Sequence, residues 1–301
     1  MAPLVPTRRR CGTMQNYYRL LEQDPGFRVR LAALEGRVTA RLALGRPPRQ
    51  GITRIPVVVH VLHKTKDERI TATQVRSQIT ALNKDFRATN ADKTRVPSAW
   101  RGLVSDARVQ FTLATKDPAG KKTTGIIYVA TARTSFDVDD SVKSKATGGA
   151  DAWPADRYLN MWVCSLGGGL LGYAQFPAGP AKTDGVVVLN RAFGTKGTAT
   201  APFHLGRTTT HEVGHWLNLR HIWGDTDDCT GTDFVVDTPN AQHPNYGKPK
   251  FPHVSCQNGP NGDMFMNYMD YVDDDAMFMF TAQQVVRMQA SLDGARSGIG
   301  R

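Results

Sequence analysis

No apolar run in this 301-residue chain approaches the about twenty residues that a membrane-crossing helix needs. The first ten residues, MAPLVPTRRR, lack the apolar core of a secretory leader. No membrane partner is expected, and export is left to a removed leader, a different start or another route. Cysteine is scarce. The four present, Cys11, Cys164, Cys229 and Cys256, match no zinc-knuckle or finger spacing. Cys229 and Cys256 flank a loop-rich stretch. They either remain thiols or form a bridge of about 3–4 kcal/mol on the loop-entropy model, which belongs to an oxidising compartment. Acidic residues are scarce at one end: residues 1–50 set ten arginines against Glu22, Asp24 and Glu35, so most of the net charge of +11 sits there. A basic leader on a nearly balanced body is a detachable tail rather than a phosphate-binding face, and no nucleic-acid partner is expected. Glutamate is absent after Glu212.

The residues present give an order of elements. Residues 14–44 carry apolar side chains at helical spacing, interrupted by Asp24-Pro25-Gly26, which predicts two short helices. GRPPRQG, from Gly45 to Gly51, is an exposed linker and the boundary between residues 1–50 and 51–301. ITRIPVVVHVLHK predicts a buried central strand, with His60 and His63 as packing residues. A helix follows with Val75, Ile79, Leu82 and Phe86 on one face. VQFTLATKD, GIIYVATA, YLNMWVCSL and GVVVLN read as further strands, and the glycines before Leu170 mark a bend at a sheet margin. TTTHEVGHWLNL predicts a helix capped within Thr208–Thr210. Gly224 to about Met264 is loop-like, and the chain ends in a helix capped by Thr281.

HEVGHWLNLRH, from His211 to His221, concentrates three of the eight histidines. Residues four apart on a helix share a face, so His211 and His215 can direct two imidazoles at one zinc ion. Glu212 projects about 100° around the helix, where its carboxylate meets a water at the metal without ligating it. With no later glutamate, His221 is the third ligand available. It can converge only if the chain turns after Leu217, and Asn218 suits the positive φ of that turn. H-E-x-x-H-x-x-N-x-x-H is one residue away from the metzincin motif. Three histidines leave a fourth position for solvent, whereas a structural zinc has four protein ligands. NYMDY supplies Met269 for a methionine turn, and Tyr271 for the metal or the oxyanion, or else as an ordinary buried tyrosine.

Together with YLNMWVCSLGGGLLGYAQFP, CGTMQNYYRLLEQDPGFR and MNYMDY, this region resembles the pappalysin family of metzincin zinc endopeptidases over nearly the whole chain. The resemblance implies an α+β fold. A mostly helical propeptide precedes an upper subdomain (about 51–221) of twisted mixed sheet and two long helices, then an irregular lower subdomain (about 222–301). It implies catalytic Zn2+ on His211, His215 and His221, Glu212 as general base, Met269 in the methionine turn and Tyr271 near the metal. It further implies a Cys229–Cys256 bridge and structural Ca2+, with Asp225, Asp233, Asp237 and Thr238 as candidates. Cys11, in RRRCGTM, is a candidate latency thiol on zinc or else an unpaired tail cysteine.

The expected function is secreted, zinc-dependent hydrolysis of protein or peptide substrates. The substrate adds as a strand to the margin at Gly169, Leu170, Gly172, Tyr173 and Ala174. Among Asp273, Asp274 and Asp275, Asp275 is the expected carboxylate of the pocket for the residue after the cut, favouring lysine or arginine. The alternative is a zinc-binding interaction protein without hydrolysis, against which Glu212 argues.

Overall fold

The computed structural model describes residues 6–44 and 51–300, so nearly all of the expected linker lies outside the described residues. The N-terminal segment forms helices α1 (Thr13–Gln23) and α2 (Pro25–Ala43). The break between them is Asp24 alone. Proline fits the first turn of a helix because its missing N–H is not needed there, so Pro25 starts α2, which runs for 19 residues rather than the short helix expected. Asp24 accepts from Gly26 N through its side chain (3.1 Å) and from Phe27 N through its carbonyl (3.0 Å). Phe27, Leu31, Leu34 and Val38 form the buried stripe of α2.

A six-stranded sheet follows: β1 (Thr53–His63), β2 (Val109–Leu113), β3 (Ile126–Ala130), β4 (Leu159–Cys164), β5 (Gly172–Ala174) and β6 (Val186–Leu189). The order is β2-β1-β4-β6-β5. β3 continues β2's side of the sheet along the second half of β1. β1 is central and buried over most of its length, which explains its continuous apolar run. All pairings are parallel except β5 with β6, where Gly172 faces Val188 and Ala174 faces Val186. The sheet is mixed and β5 is its margin, as the glycine-rich stretch suggested. His60 is a core residue: its ring stacks on Trp162 at 5.4 Å, with Nε2 at 3.1 Å from Asn160.

Helix α3 (Ala72–Phe86) is capped by Thr71 and joins the core through Val75, Leu82 and Phe86. A single turn, α4 (Ser98–Arg101), follows. Helix α5 (Arg207–Trp216) contributes Val213 and Trp216 to the same core. It begins one residue before the expected segment and ends three residues short of it, and its cap differs. Thr208–Thr210 are already helical, and Gly206, at φ 81°, precedes them without a capping side chain. The cap comes from a distant segment: Asp274 Oδ2 accepts from Leu205 N (2.7 Å) and Arg207 N (3.3 Å). Residues 217–273 contain no helix or strand and are bridged by Cys229–Cys256. Helix α6 (Ala282–Asp293) closes the chain with a capping box of Thr281 and Gln284.

The bridge closes a loop between positions 27 apart. The double variant Cys229→Ser/Cys256→Ser loses about 3–4 kcal/mol in chemical denaturation. A midpoint equal to wild type would show that the loop is held by its other contacts.

Candidate active site

Helix α5 carries His211 and His215 on one face, both buried. The chain then bends. Leu219 N returns to Gly214 O at 3.0 Å, and Asn218 takes φ 78°, the positive value expected of it. Asn218 is held from both sides: its carbonyl accepts from Arg287 Nη2 (3.2 Å), and its Nδ2 donates to Glu35 Oε1 (3.0 Å). Glu35 also pairs with Arg287 at 2.8 Å.

The bend brings His221 back to its partners. The three Nε2 atoms lie 3.1–3.2 Å apart. Each opposite ring nitrogen faces an acceptor: His211 Nδ1 meets Tyr268 O at 2.8 Å, His215 Nδ1 meets Leu219 O at 2.7 Å and His221 Nδ1 meets Asp225 Oδ1 at 2.5 Å. Those contacts put the proton of each ring on Nδ1. Three Nε2 lone pairs then face one another with no proton between them, an arrangement that only a cation relieves. Ligands at about 2.0–2.1 Å on tetrahedral zinc sit about 3.3 Å apart, so the spacing suits that ion. Burial and mutual repulsion push His211 and His215 well down, which keeps them neutral and able to ligate.

Among the described residues, one group of three or more His, Cys, Asp or Glu side chains is close enough to share a metal, and its fourth member is Cys11. Glu212 faces the same space. Its Oε2 accepts from Thr13 Oγ1 (2.9 Å) and Cys11 Sγ (3.3 Å), and burial pushes its carboxyl up to about 7. Burial and the Glu212 charge push the Cys11 thiol well up, so a thiolate persists there only beside a cation. Gly172 on β5 leaves room for Glu212: a Cβ there would stand 2.9 Å from Glu212 Cγ and 2.8 Å from Val187 O.

Met269 lies beneath the helix. A Cβ on Gly214 would approach its Sδ to 2.5 Å. The turn is held by Asn267, which accepts from Met269 N at 3.0 Å and exchanges amide hydrogen bonds with Gln284. Tyr271 packs its ring on His221 at 4.9 Å, and its hydroxyl accepts from Cys11 N at 3.3 Å.

The N-terminal segment fills the margin of the sheet. Gly12 N donates to Gly172 O (2.9 Å), and Leu171 N donates to Arg10 O (2.9 Å). Ala174 N donates to Thr13 Oγ1 (2.8 Å), and Ala174 O accepts from Asn16 Nδ2 (2.9 Å). The paired edge is therefore Leu171 to Ala174. Leu170 lies just before it, Gly169 is exposed in the preceding bend, and the Tyr173 ring packs in the core behind the sheet.

Asp275, the expected pocket carboxylate, is half-buried and pairs with Lys248 at 2.6 Å. Asp274 is the buried one, and it pairs with the buried Arg9 guanidinium at 2.7 Å. The calcium candidates are dispersed. Asp225 orients His221, and Asp237 binds Thr281 Oγ1 (2.7 Å) and Gln283 N (3.0 Å) at the start of α6. Asp233 and Thr238 remain together at 2.7 Å. Arg9, Thr13, Asn16, Glu35 and Asp274 were not singled out from the sequence. Arg8-Arg9-Arg10 and Asp273-Asp274-Asp275 signal charge, but nothing in either run marks the residue that turns inward.

Comparison with known proteins agrees with this geometry. The Pregnancy-associated plasma protein-A model of the M43 peptidases matches residues 143–293. The chain belongs to the M43 peptidase family. A Tannerella forsythia promirolysin structure extends the likeness over the N-terminal segment. A promirolysin mutant is 43% identical, with 97% of each chain covered and a TM-score of 0.90. Mature mirolysin, solved with a cleaved peptide, is 48% identical over 84% of this chain and 97% of that one, with a TM-score of 0.82. Extracellular metalloprotease 1 of Coccidioides posadasii is 40% identical over 149 residues, 46% of this chain. The match spans about half the length of that M43 relative and of two further fungal ones.

Asp225 is the one charged partner among the three Nδ1 acceptors. Asp225→Ala lowers zinc affinity by about 10–100-fold in competition with a chelator. An unchanged affinity would show that the ring is held without it.

Proposed function

We propose that this chain is the latent precursor of a secreted zinc endopeptidase, with residues 1–50 as propeptide and linker and residues 51–301 as the catalytic unit. The observation that carries this reading is the convergence of three imidazole Nε2 atoms beside a buried glutamate on the edge of a sheet. His211, His215 and His221 would hold zinc, their rings oriented by Tyr268 O, Leu219 O and Asp225. The ion would supply Lewis acidity toward a water and the scissile carbonyl. Glu212 takes the proton of the attacking water and passes it to the leaving amine. Tyr271 donates its hydroxyl hydrogen to the oxyanion once Cys11 has gone. The Leu171–Ala174 edge pairs with the substrate backbone.

Cys11 would join the three histidines on the ion while the propeptide is attached, and Thr13 occupies the base. Arg9 on Asp274 supports a preference for arginine or lysine after the cut, with Asp274 in the role expected of Asp275. It also sets polarity. From Arg9 through Cys11 to Asn16, the propeptide runs from the Asp274 side toward Ala174. A substrate with its residue after the cut at Asp274 runs the other way, so the propeptide blocks the cleft in reverse. Structural calcium, if bound, belongs at Asp233 and Thr238. Asp233 is buried, its carboxyl is pushed up to about 7 by desolvation, and a divalent cation would hold it ionised. Secretion is supported by fungal relatives named extracellular metalloproteases, and no helix among the described residues is long and apolar enough to cross a membrane. A zinc-binding interaction protein would have no use for Glu212 beside the metal.

Digestion of casein or gelatin tests the reading. The processed protein degrades them and a chelator stops it, while Glu212→Ala lowers kcat by about 10²–10⁴-fold. Equal digestion by Glu212→Ala would sink the mechanism. Full-length Cys11→Ala sheds its N-terminal segment and gains activity faster than wild type, whereas activation at the wild-type rate would remove the thiol from latency. Asp274→Ala abolishes discrimination between arginine and alanine after the cut in a peptide series.

A further inference from the structure

Phe176 follows the margin strand by two residues and is 1% exposed, and the apolar cluster that covers it comes from the N-terminal segment. The buried cluster around it consists of Leu20, Phe27, Leu31 and Leu34, with Met14, Tyr17 and Leu21 against them. Phe176 is its one member from the body of the protein. On the other side its ring meets the ring of the zinc-ligand histidine His215 edge-on at 5.6 Å. The Arg220 guanidinium lies over Phe176 at 4.3 Å and over the Tyr17 ring at 4.6 Å, and Tyr17 meets Phe176 edge-on at 5.6 Å. Among the described residues, Arg220 Nη1 reaches a methionine sulfur, Met14 Sδ at 3.5 Å, and its buried Nε has no hydrogen-bond partner. An arginine tied into a structural network would have both ends satisfied by oxygen. This one is held against ring faces, and two of its three contacts leave with the propeptide.

We propose that Phe176 and Arg220 form a subsite for an aromatic side chain on the substrate, upstream of the scissile bond, which Tyr17 fills in the latent chain. The proposal rests on the peptidase reading above, which fixes the side. With the residue after the cut on Asp274, the residues before it extend over Ala174 toward Phe176. A ring there gains an edge-to-face contact with Phe176 and a cation–π contact with Arg220, both next to His215. The subsite opens only when the propeptide leaves.

The test uses full-length protein processed in its own linker and freed of the N-terminal segment. Its substrates are quenched fluorescent peptides with arginine after the cut, and phenylalanine, tyrosine or alanine at each of the three positions before it. At one position wild type prefers the aromatic peptides by about tenfold in kcat/KM. Phe176→Leu, which keeps an apolar side chain, and Arg220→Gln, which keeps a long polar one, each bring that ratio below about threefold. Both keep the preference for arginine after the cut. Cleavage by wild type with no aromatic preference, or a preference that survives both substitutions, overturns the subsite and leaves the peptidase reading standing. A wild type that cleaves no peptide overturns both.

Discussion

Three imidazole lone pairs meeting at 3.1–3.2 Å are a repulsion that the fold maintains by force of its other contacts. Without a cation the arrangement has nothing to recommend it, and with one it is a tridentate ligand prepared in advance. The surrounding structure serves that preparation. Helix α5 fixes two rings by its own pitch, and a positive-φ asparagine delivers the third. Each ring is then locked by an acceptor on a different segment: Tyr268 in the methionine turn, Leu219 in the bend and Asp225 in the following loop. Asp274 caps the helix from 67 residues away, and Met269 packs on Gly214, where no side chain fits. The irregular lower part of the chain therefore acts as the outer support of the metal site.

The N-terminal segment exploits the same surfaces. It places a thiol beside the three nitrogens, a hydroxyl on the base, a guanidinium on Asp274 and an amide on the margin strand. Its second helix reaches further, with Glu35 on Arg287 and Asn218, so the bend that delivers His221 is itself in contact with this segment. Arg9 and Asp274 are both buried, and separating such a pair leaves charges without partners. Removal of the segment would therefore leave both groups to be satisfied by water or by whatever replaced it.

Much of the site was legible because its chemistry is local. His211, Glu212 and His215 are spaced by the helix, and Asn218 and His221 follow within six residues. The central strand was legible from its unbroken apolar run, and the last helix from Thr281. What was not legible depended on distant partners or on alternation too fine for composition. Thr208–Thr210 resembled a cap, but Asp274 supplies it. Asp274 and Asp275 are alike in sequence, yet one is fully buried and the next half-buried. Asp225 is one acid among several in its loop, and only the fold shows that it meets the His221 ring. Pro25 was read as a break when it starts a helix. Arg9 was one of three identical neighbours, and only the pocket distinguishes it.

The central claim is that the latent chain holds zinc through three imidazole nitrogens and the thiolate of Cys11. Zinc-edge X-ray absorption on the full-length protein tests it most directly. The account predicts one equivalent of zinc with a first shell of three nitrogens at about 2.0–2.1 Å and one sulfur at about 2.3 Å. A shell of nitrogen and oxygen alone, or protein folded without stoichiometric zinc, would contradict it.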